Sequence, residues 1–383
     1  MKKKRYVINA AKLIYIVLIF CTSYYLFYNQ AFTVNRLIYL SDLPDHIALA
    51  LAGNSYSFMY IIMGTILKLP GDVFVLLALE TLLVLGAGWI GYLLLKELLS
   101  DEKKDIAFFV AFTLLFLTSI YLPKVFEWYY AGTFVTQPWH NITYIGMRFF
   151  ALWTMYNFFK IYRDYLEGIS FKEWLKVAIP LLLATAIKPN FLLSFAFALL
   201  VILLIDFLKD YNHFWNIVKL GTAVFPACVV LLIQAVILYG PNDEGSASSV
   251  IITWGGSLWE QGLDVLLLKI LCGLAFPILI CICNYKQFDK NTKFVYLMFL
   301  VTFIQMHFLE ETGVRAAHGN FTWGIYCAAY MLFIYAVGYF IKNFDFKGKK
   351  MQTIMGCVFL ALHFISGCKY FMLLLQGEPS HGL

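Results

Sequence analysis

The chain has 383 residues, of which 61% are hydrophobic and only 14% are charged, and its formal net charge is +6. A soluble domain is typically about 45–50% apolar and about 25% charged, so this composition excludes a soluble globular protein and predicts an all-α polytopic membrane protein. The positive net charge does not indicate a nucleic-acid partner, because the Lys and Arg residues are spread over short segments between apolar runs.

Apolar runs separated by polar breaks predict about eleven transmembrane helices, within a range of about nine to twelve, in one transmembrane domain over residues 1–383. A span needs about 20 residues, and the first run follows MKKKR without the short apolar region of a cleaved signal peptide. The predicted spans are 10–29, 73–95, 106–122, 142–162, 173–188, 190–208, 217–239, 264–283, 294–310, 321–341 and 352–374.

The basic residues indicate the orientation of these spans. If the N-terminus lies in the cytoplasm and the spans alternate, most of the 29 Lys and Arg residues fall in cytoplasmic segments, as the positive-inside rule requires. The sequence therefore predicts a multi-pass protein of the cytoplasmic membrane with a cytoplasmic N-terminus. The outer loops are then 30–72, 123–141, 240–262 and 310–320, and their unusual polar residues predict that the protein acts at the outer face.

The first outer loop, 30–72, is predicted to hold two juxtamembrane helices, over 43–52 and 56–69. Ser41 or Asp42 can cap the first helix, and Pro44 falls in its first turn, where the missing N–H costs nothing. The second is apolar but about fifteen residues long, which suits a helix at the membrane surface.

Three polar residues in the stretch YLSDLPDHIALALAGN share one face of the first helix. Asp42, Asp45 and His46 are spaced i, i+3 and i+4, and carboxylates at a helix N-terminus tend to stay ionised. An ionised carboxylate at the water interface is a candidate general base or metal ligand. The alternative is that Asp42 and Asp45 only cap the helix.

The stretch TQPWHNITYIGMRFF places His140 and Asn141 just before the fourth span, with Arg148 about two turns inside it. A buried Arg in a membrane is costly and usually faces a cavity or a partner. Arg148 is therefore a candidate phosphate-binding residue, and pairing with an acidic residue such as Glu127 is the alternative.

Two further basic sites face the outer side in this topology. Lys188 in AIKPNFL precedes Pro189, and broken helices at membrane depth usually line cavities; a Lys that snorkels to the interface is the alternative. The stretch LEETGVRAAHGNFTWG contains Arg315 and His318, which could hold a phosphate or belong to a salt-bridged loop. Loop 240–262 has the Gly, Ser and Pro content of a flexible loop.

Several of these stretches resemble the glycosyltransferase C superfamily, usually called GT-C. SDLPDHI resembles its first-loop acidic motif, with Asp42 at the leading Asp and Asp-Leu-Pro-Asp where many members have Asp-Glu. YSFMYIIMGTILKLPGDVFVLLALETLLVLGAGWIGYLLLKEL is similar to its aromatic-rich juxtamembrane helix, turn and second span. QPWHNITYIGMRFF and AIKPNFLLSFAFAL resemble stretches of bacterial members.

This resemblance implies a GT-C-like fold and the transfer of a sugar from a polyprenyl-phosphate-linked donor to a glycan or lipid acceptor. The reaction would take place at the outer face of a bacterial membrane, in cell-surface polysaccharide or glycolipid assembly. Asp42 or Asp45 would be the catalytic base, and the candidate substrate- or phosphate-binding residues are His46, His140, Asn141, Arg148, Lys188, Arg315 and His318. No cofactor is certain, a divalent metal is an open alternative, and membrane lipids surround the site.

Two other functions remain open at the level of sequence. A polysaccharide polymerase or lipid-linked-glycan ligase would depend on a large, Arg-rich late outer loop, whereas the longest outer loop here is the first. A lipid-linked-glycan transporter would tolerate loss of Asp42 better than loss of charges within spans. The chain has no G-x-x-x-x-G-K-[ST] motif, which excludes an ATP-driven transporter within it.

Overall fold

A computed structural model describes residues 2–33, 38–39, 41–70, 72–122, 134–136, 138–239, 248–253, 263–313 and 319–378. It is 81% helical, so the fold is all-α. The helices are α1 (Lys2–Phe32), α2 (Leu43–Leu51), α3 (Phe58–Ile66), α4 (Asp72–Leu98), α5 (Lys104–Thr113), α6 (Ile142–Tyr162), α7 (Phe171–Ile187), α8 (Asn190–Lys209), α9 (Phe214–Gly221), α10 (Phe225–Tyr239), α11 (Leu263–Asn284), α12 (Lys290–Phe308), α13 (Thr322–Lys342) and α14 (Lys350–Gln376), with strands β1 (Val250–Ile252) and β2 (Leu309–Glu311).

Within the described residues, seven helices are long and apolar enough to cross a membrane, which confirms a polytopic membrane protein. Helices α6 and α12, with 21 and 19 residues, carry more polar side chains and are not among the seven, and neither is α7, which has only 17 residues. The seven helical segments are Arg5–Phe32, Asp72–Leu98, Asn190–Lys209, Tyr211–Tyr239, Leu266–Gln287, Thr322–Lys342 and Lys350–Gln376.

Helix α13 is the centre of the bundle, because almost all of its residues are buried. It packs mainly against α12, α4, α11 and α8. Its side chains are apolar or aromatic on every face, as expected for a helix with no water-exposed side. Helix α13 therefore forms the apolar core around which the other helices pack.

Many basic side chains lie at one end of the bundle. This end contains the last residues of α4 and α13 and the first residues of α12. Lys103 donates to the carbonyl of Ile341 over 2.8 Å, and the backbone N–H of Asp289 donates to the Tyr339 hydroxyl over 2.8 Å. We call this the basic end. Other basic residues at this end include Lys96, Lys104, Lys160, Arg163, Lys172, Lys209, Lys290 and Lys342.

The opposite end, which we call the Asp42 end, contains α2, α3 and the small sheet. The Ser57 hydroxyl donates to the carbonyl of Ile187 over 2.7 Å, which joins the start of α3 to the end of α7. Strands β1 and β2 pair antiparallel, with Val250 opposite Glu311. The segments that the sequence predicts as outer loops thus meet at one end of the bundle.

The segment between α1 and α4 forms the short helices α2 and α3, where helices were predicted over 43–52 and 56–69. Their position at a membrane surface stays a prediction. Of loop 240–262, the described residues 248–253 include β1, and the rest lies outside the described residues, as do Arg315 and His318.

The predicted span 106–122 is helical only through Phe116, where α5 continues as a short 3-10 turn. Beyond it the backbone is extended, and other elements satisfy its polar groups. Thr136 donates to the Leu117 carbonyl, His363 Nδ1 lies 2.7 Å from the Thr118 carbonyl, and the Tyr121 N–H donates to Ser366. Non-helical backbone in an apolar core is tolerated where such partners exist.

Gly367 allows α14 to approach this extended segment, because a Cβ at that position would overlap the backbone carbonyl of Phe116. Backbone cannot move aside as a flexible side chain can. Overpacking typically costs about 1–3 kcal/mol, so Gly367→Ala is expected to lower the thermal unfolding midpoint in detergent clearly. Gly91→Ala is the matched control, since its Cβ would meet only ordinary contacts with Tyr330 and Ile334; equal midpoints for the two variants would contradict this close approach.

Candidate active site at the Asp42 end

Asp42 is tied to the loop before α6 rather than to its own helix. Its backbone N–H donates to the His140 carbonyl over 3.1 Å, and its carboxylate makes no capping bond to α2. Ser41 takes the capping role instead, since its hydroxyl accepts from the Leu43 N–H over 3.1 Å. The Asp42 carboxylate accepts from Asn141 Nδ2 over 2.8 Å, so the interpretation of Asp42 as a side-chain cap does not describe this site.

Asn141 connects the start of α6 to the acidic cluster. Its Oδ1 accepts from the Tyr144 N–H over 2.8 Å and from the Thr143 hydroxyl over 2.7 Å. With the carbonyl oxygen engaged by two donors, Nδ2 must face the other way, which fixes the amide orientation. One Nδ2 hydrogen goes to Asp42, and the other points to His46 Nε2 at 3.3 Å.

His46 is held as a neutral imidazole by these partners. Because Asn141 Nδ2 can only donate, His46 Nε2 must accept, and the ring proton lies on Nδ1, 2.8 Å from the Tyr60 hydroxyl. Burial, and secondarily the charge of Lys188, lower the pKa of His46 to about 4, against the opposing effect of Asp42 and Asp45. His46 is thus uncharged at neutral pH and cannot neutralise the Asp42 carboxylate.

Asp45 lies one helical turn from Asp42 and is exposed, whereas Asp42 is half-buried. Both carboxylates act on His46 electrostatically, because each raises its pKa. The structure therefore keeps Asp42 and Asp45 in one cluster, as predicted from their spacing, but gives them different surroundings.

Lys188 directly follows the last residue of α7, and its charge acts on His46. Its Nζ donates to the Thr143 hydroxyl over 3.3 Å and lies 4.3 Å from the centre of the Trp323 ring. The break after α7 follows from Pro189, which begins the turn into α8. The described contacts run from Asp42 through Asn141 and Thr143 to Lys188.

Three helices begin around Lys188. Thr143 lies in the first turn of α6, Asn190 is the first residue of α8, and Asn320 precedes α13; Asn190 Nδ2 donates to the Asn320 carbonyl over 2.6 Å. Helix N-termini carry partial positive charge and unpaired N–H groups, which favour anions. Lys188 adds a full positive charge to the partial positive charges of these helix starts.

A cavity of about 590 Å³ opens beside Lys188, within the size range of small-molecule sites, about 300–1,000 Å³. One part of its wall is apolar and is formed by α8 and α10. Those residues are Leu193, Leu231, Leu232, Ala235 and Leu238. The other part is polar and contains Thr143, Lys188, Asn190, Gln234, Ser248 and Glu311.

A second chain of contacts joins the cluster to this cavity. Tyr56 lines the cavity, its hydroxyl lies 3.3 Å from that of Tyr60, and the Tyr60 hydroxyl lies 2.8 Å from His46. His140 contributes its backbone carbonyl to Asp42, and its ring lies against Trp323 at 5.8 Å. These contacts link the cluster to the cavity wall, although Asp42, Asp45 and His46 do not themselves line the cavity.

Arg148 is not on the cavity wall. It is fully buried, its Nη1 donates to the Thr136 carbonyl over 3.0 Å, and the rings of Tyr144 and Tyr330 face its guanidinium. Its Nε and Nη2 have no hydrogen-bond partner among the described residues. Glu127, the partner considered from sequence, lies outside the described residues, and so do Arg315 and His318.

Sequence reasoning missed Thr143, Gln234 and Trp323. Thr143 gave no signal in the sequence, because Thr is common at helix starts. Its hydroxyl matters because it forms hydrogen bonds with both Asn141 and Lys188. Gln234 offered a signal, since it is an isolated amide in the apolar run 217–239 and polar residues within spans usually have a function. Trp323 was indistinguishable from an interfacial aromatic residue.

Within the part of the chain that the structure describes, no group of three or more His, Cys, Asp or Glu side chains is placed to hold a metal ion. Comparison of the chain with protein-family models and with curated proteins finds no match to either.

The lowered pKa of His46 predicts a pH dependence of stability. The unfolded chain binds a proton at His46 near its ordinary pKa of about 6.5, while the folded chain resists it until about pH 4, so stability from this group is lost as the pH falls from 6.5 to 4. The effect is on the order of 3 kcal/mol. Between pH 6.5 and pH 4, the thermal unfolding midpoint of His46→Gln should fall less than that of the wild-type protein. If the two midpoints fall by the same amount with pH, a buried neutral imidazole is contradicted.

Proposed function

We propose that this protein is a membrane-embedded glycosyltransferase of the GT-C type. It transfers a sugar from a polyprenyl-phosphate-linked donor to a glycan or lipid acceptor at the outer face of the cytoplasmic membrane, in cell-surface glycan or glycolipid assembly. The observation that carries the proposal is the cavity whose wall is apolar on one side and contains Lys188 on the other, connected by hydrogen bonds to the Asp42 carboxylate.

The cavity matches the two chemical halves of such a donor. An isoprenoid chain has no hydrogen-bonding groups and needs the kind of apolar wall that α8 and α10 supply. Its phosphate needs a cation and N–H donors, which Lys188 and the starts of α6, α8 and α13 supply. A water-soluble sugar nucleotide has no lipid chain and, unlike the polyprenyl-linked donor, would not need the apolar wall.

The reaction requires a base for the acceptor. The acceptor hydroxyl loses its proton to a carboxylate and its oxygen bonds to the anomeric carbon of the sugar, while the bond between that carbon and the phosphate oxygen breaks. The lipid phosphate leaves with the electron pair, and Lys188 stabilises its charge. We assign the base to Asp42, because Asn141 orients its carboxylate and His46 stays neutral beside it. Asp45 is the alternative base or an orienting residue for the acceptor.

The same proposal includes eleven spans with the N-terminus in the cytoplasm. In support, α6, α7 and α12 join the basic end to the Asp42 end as the seven apolar helices do, which accounts for ten spans. The eleventh is α5 with the extended segment that follows Phe116. The lysines of the basic end then face the cytoplasm, and the site faces outward.

Replacement of the two carboxylates tests the catalytic assignment. General-base catalysis contributes about 10²–10⁴-fold, so Asp42→Asn is expected to lower kcat by that factor with little change in donor binding, and Asp45→Asn to lower it less. The measurement is sugar transfer from a panel of polyprenyl-phosphate-linked sugars by protein in nanodiscs. If Asp42→Asn keeps wild-type turnover and Asp45→Asn has none, Asp45 is the base. If both variants keep wild-type turnover, neither carboxylate is the base.

Donor binding provides the control for that experiment. Lys188→Gln should weaken binding of polyprenyl phosphate, because it removes the cation beside the cavity, while Asp42→Asn should not. Lys68→Gln is the matched control, since Lys68 is an exposed lysine at the same end, after α3.

Cysteine labelling in intact cells tests the orientation. In a background with the eight native cysteines replaced, Lys68→Cys is expected to react with a membrane-impermeant maleimide and Ser100→Cys to be protected. Both positions are exposed and lie at opposite ends of α4. The reverse pattern would place the Asp42 end in the cytoplasm.

A further inference from the structure

We infer that the polar wall formed by Gln234, Ser248 and Glu311 is a hydroxyl-binding subsite that holds the sugar ring of the donor. The inference rests on the proposed function for the identity of the donor. It is carried by two buried groups on this wall, Gln234 Oε1 and the Ser248 hydroxyl, for which the described part of the chain supplies no hydrogen-bond partner.

Gln234 is the first of these groups. Its side chain is only 4% exposed, and Nε2 donates to the carbonyls of Tyr56 and Ala186, each over 3.0 Å. Two carbonyl partners fix which end of the amide is the nitrogen. Within the part of the chain that the structure describes, Oε1 has no hydrogen-bond partner, although a buried unpaired acceptor costs about 1–3 kcal/mol. An O–H donor from a ligand would satisfy it.

Ser248 is the second group and lies just before β1. It is 8% exposed, and its hydroxyl has no hydrogen-bond partner among the described residues. The neighbouring Ser249 also lines the cavity but is exposed, and its hydroxyl lies 2.7 Å from that of Thr312. Of these two serines on the wall, the buried one is therefore the one without a partner in this part of the chain.

Glu311 adds a carboxylate to the same wall. It is 5% exposed, the Tyr239 hydroxyl and Asn320 Nδ2 donate to its two oxygens, and its backbone is held by the pairing of β2 with Val250. A carboxylate oriented in this way offers acceptor positions in a fixed direction.

Together these groups select for hydroxyl groups. Gln234 Oε1 and the Glu311 carboxylate can only accept hydrogen bonds, and Ser248 can donate or accept. A phosphate has no hydrogens to offer them at neutral pH, and an isoprenoid chain has none at all. A polyhydroxylated ring attached to a phosphate held at Lys188, on the same cavity wall, provides the missing donors.

Binding measurements with the full chain in nanodiscs test the inference. The probes are polyprenyl-phosphate-linked glucose, bare polyprenyl phosphate and the neutral octyl glucoside. Ser248→Ala removes a hydroxyl that makes no hydrogen bond in the protein, so it should not impair folding. A neutral hydrogen bond contributes about 1 kcal/mol, so Ser248→Ala should weaken both glucose-containing probes about fivefold and leave bare polyprenyl phosphate unchanged.

Thr253→Val is the matched control. Thr253 lies after β1 and also has a buried hydroxyl without a partner, but it does not line the cavity, so all three affinities should equal those of wild type. Glu311→Gln is a second variant and should weaken the glucose-containing probes only. If Ser248→Ala and Glu311→Gln bind both glucose-containing probes as wild type does, the subsite is refuted. If wild type fails to bind bare polyprenyl phosphate, the proposed donor is refuted instead, and the octyl glucoside result still decides the subsite.

Discussion

The carboxamide of Asn141 is the interaction on which the site depends. It caps α6 through Oδ1 and holds Asp42 and His46 through Nδ2, so one side chain sets the start of α6 and the position of the acidic cluster. Replacing it by a residue without both a donor and an acceptor would leave the junction of α2 with the loop before α6 to the bonds that Ser41 and the Asp42 N–H make with the His140 carbonyl. Burial keeps His46 neutral, and the same geometry fixes its tautomer, because the amide hydrogen requires an acceptor at Nε2.

The scarcity of water in the bundle explains the arrangement around this interaction. Every polar group that leaves a helix must find another partner, and the extended segment after Phe116 does so through Thr136, His363 and Ser366. Arg148 meets the same requirement in part, with one carbonyl and two aromatic rings. These groups stabilise the extended residues 117–122 after α5 and the described residues 134–136 before α6.

The cavity combines surfaces that belong to distant parts of the chain. Its apolar wall comes from α8 and α10, whereas its polar wall takes Lys188 from the end of α7 and Glu311 from β2. The antiparallel pairing of β1 with β2 brings two loops together over this space. A ligand with an apolar tail, a charged group and hydroxyl groups would meet a matching surface for each.

The class of the fold could be predicted from the sequence, because hydrophobic runs are local properties of the chain. Polar residues at the ends of apolar runs stand out, and for that reason Asp42, His46, Asn141 and Lys188 were predicted as site residues, a role that stays a prediction. The folded chain was needed to show that Asp42 contacts Asn141, 99 residues away, that the helical segment beginning with α5 ends at Phe116, and that Lys188 rather than Arg148 lines the cavity. Those outcomes depend on which helix ends meet and which polar atoms find partners there, and neither is encoded within one stretch of chain.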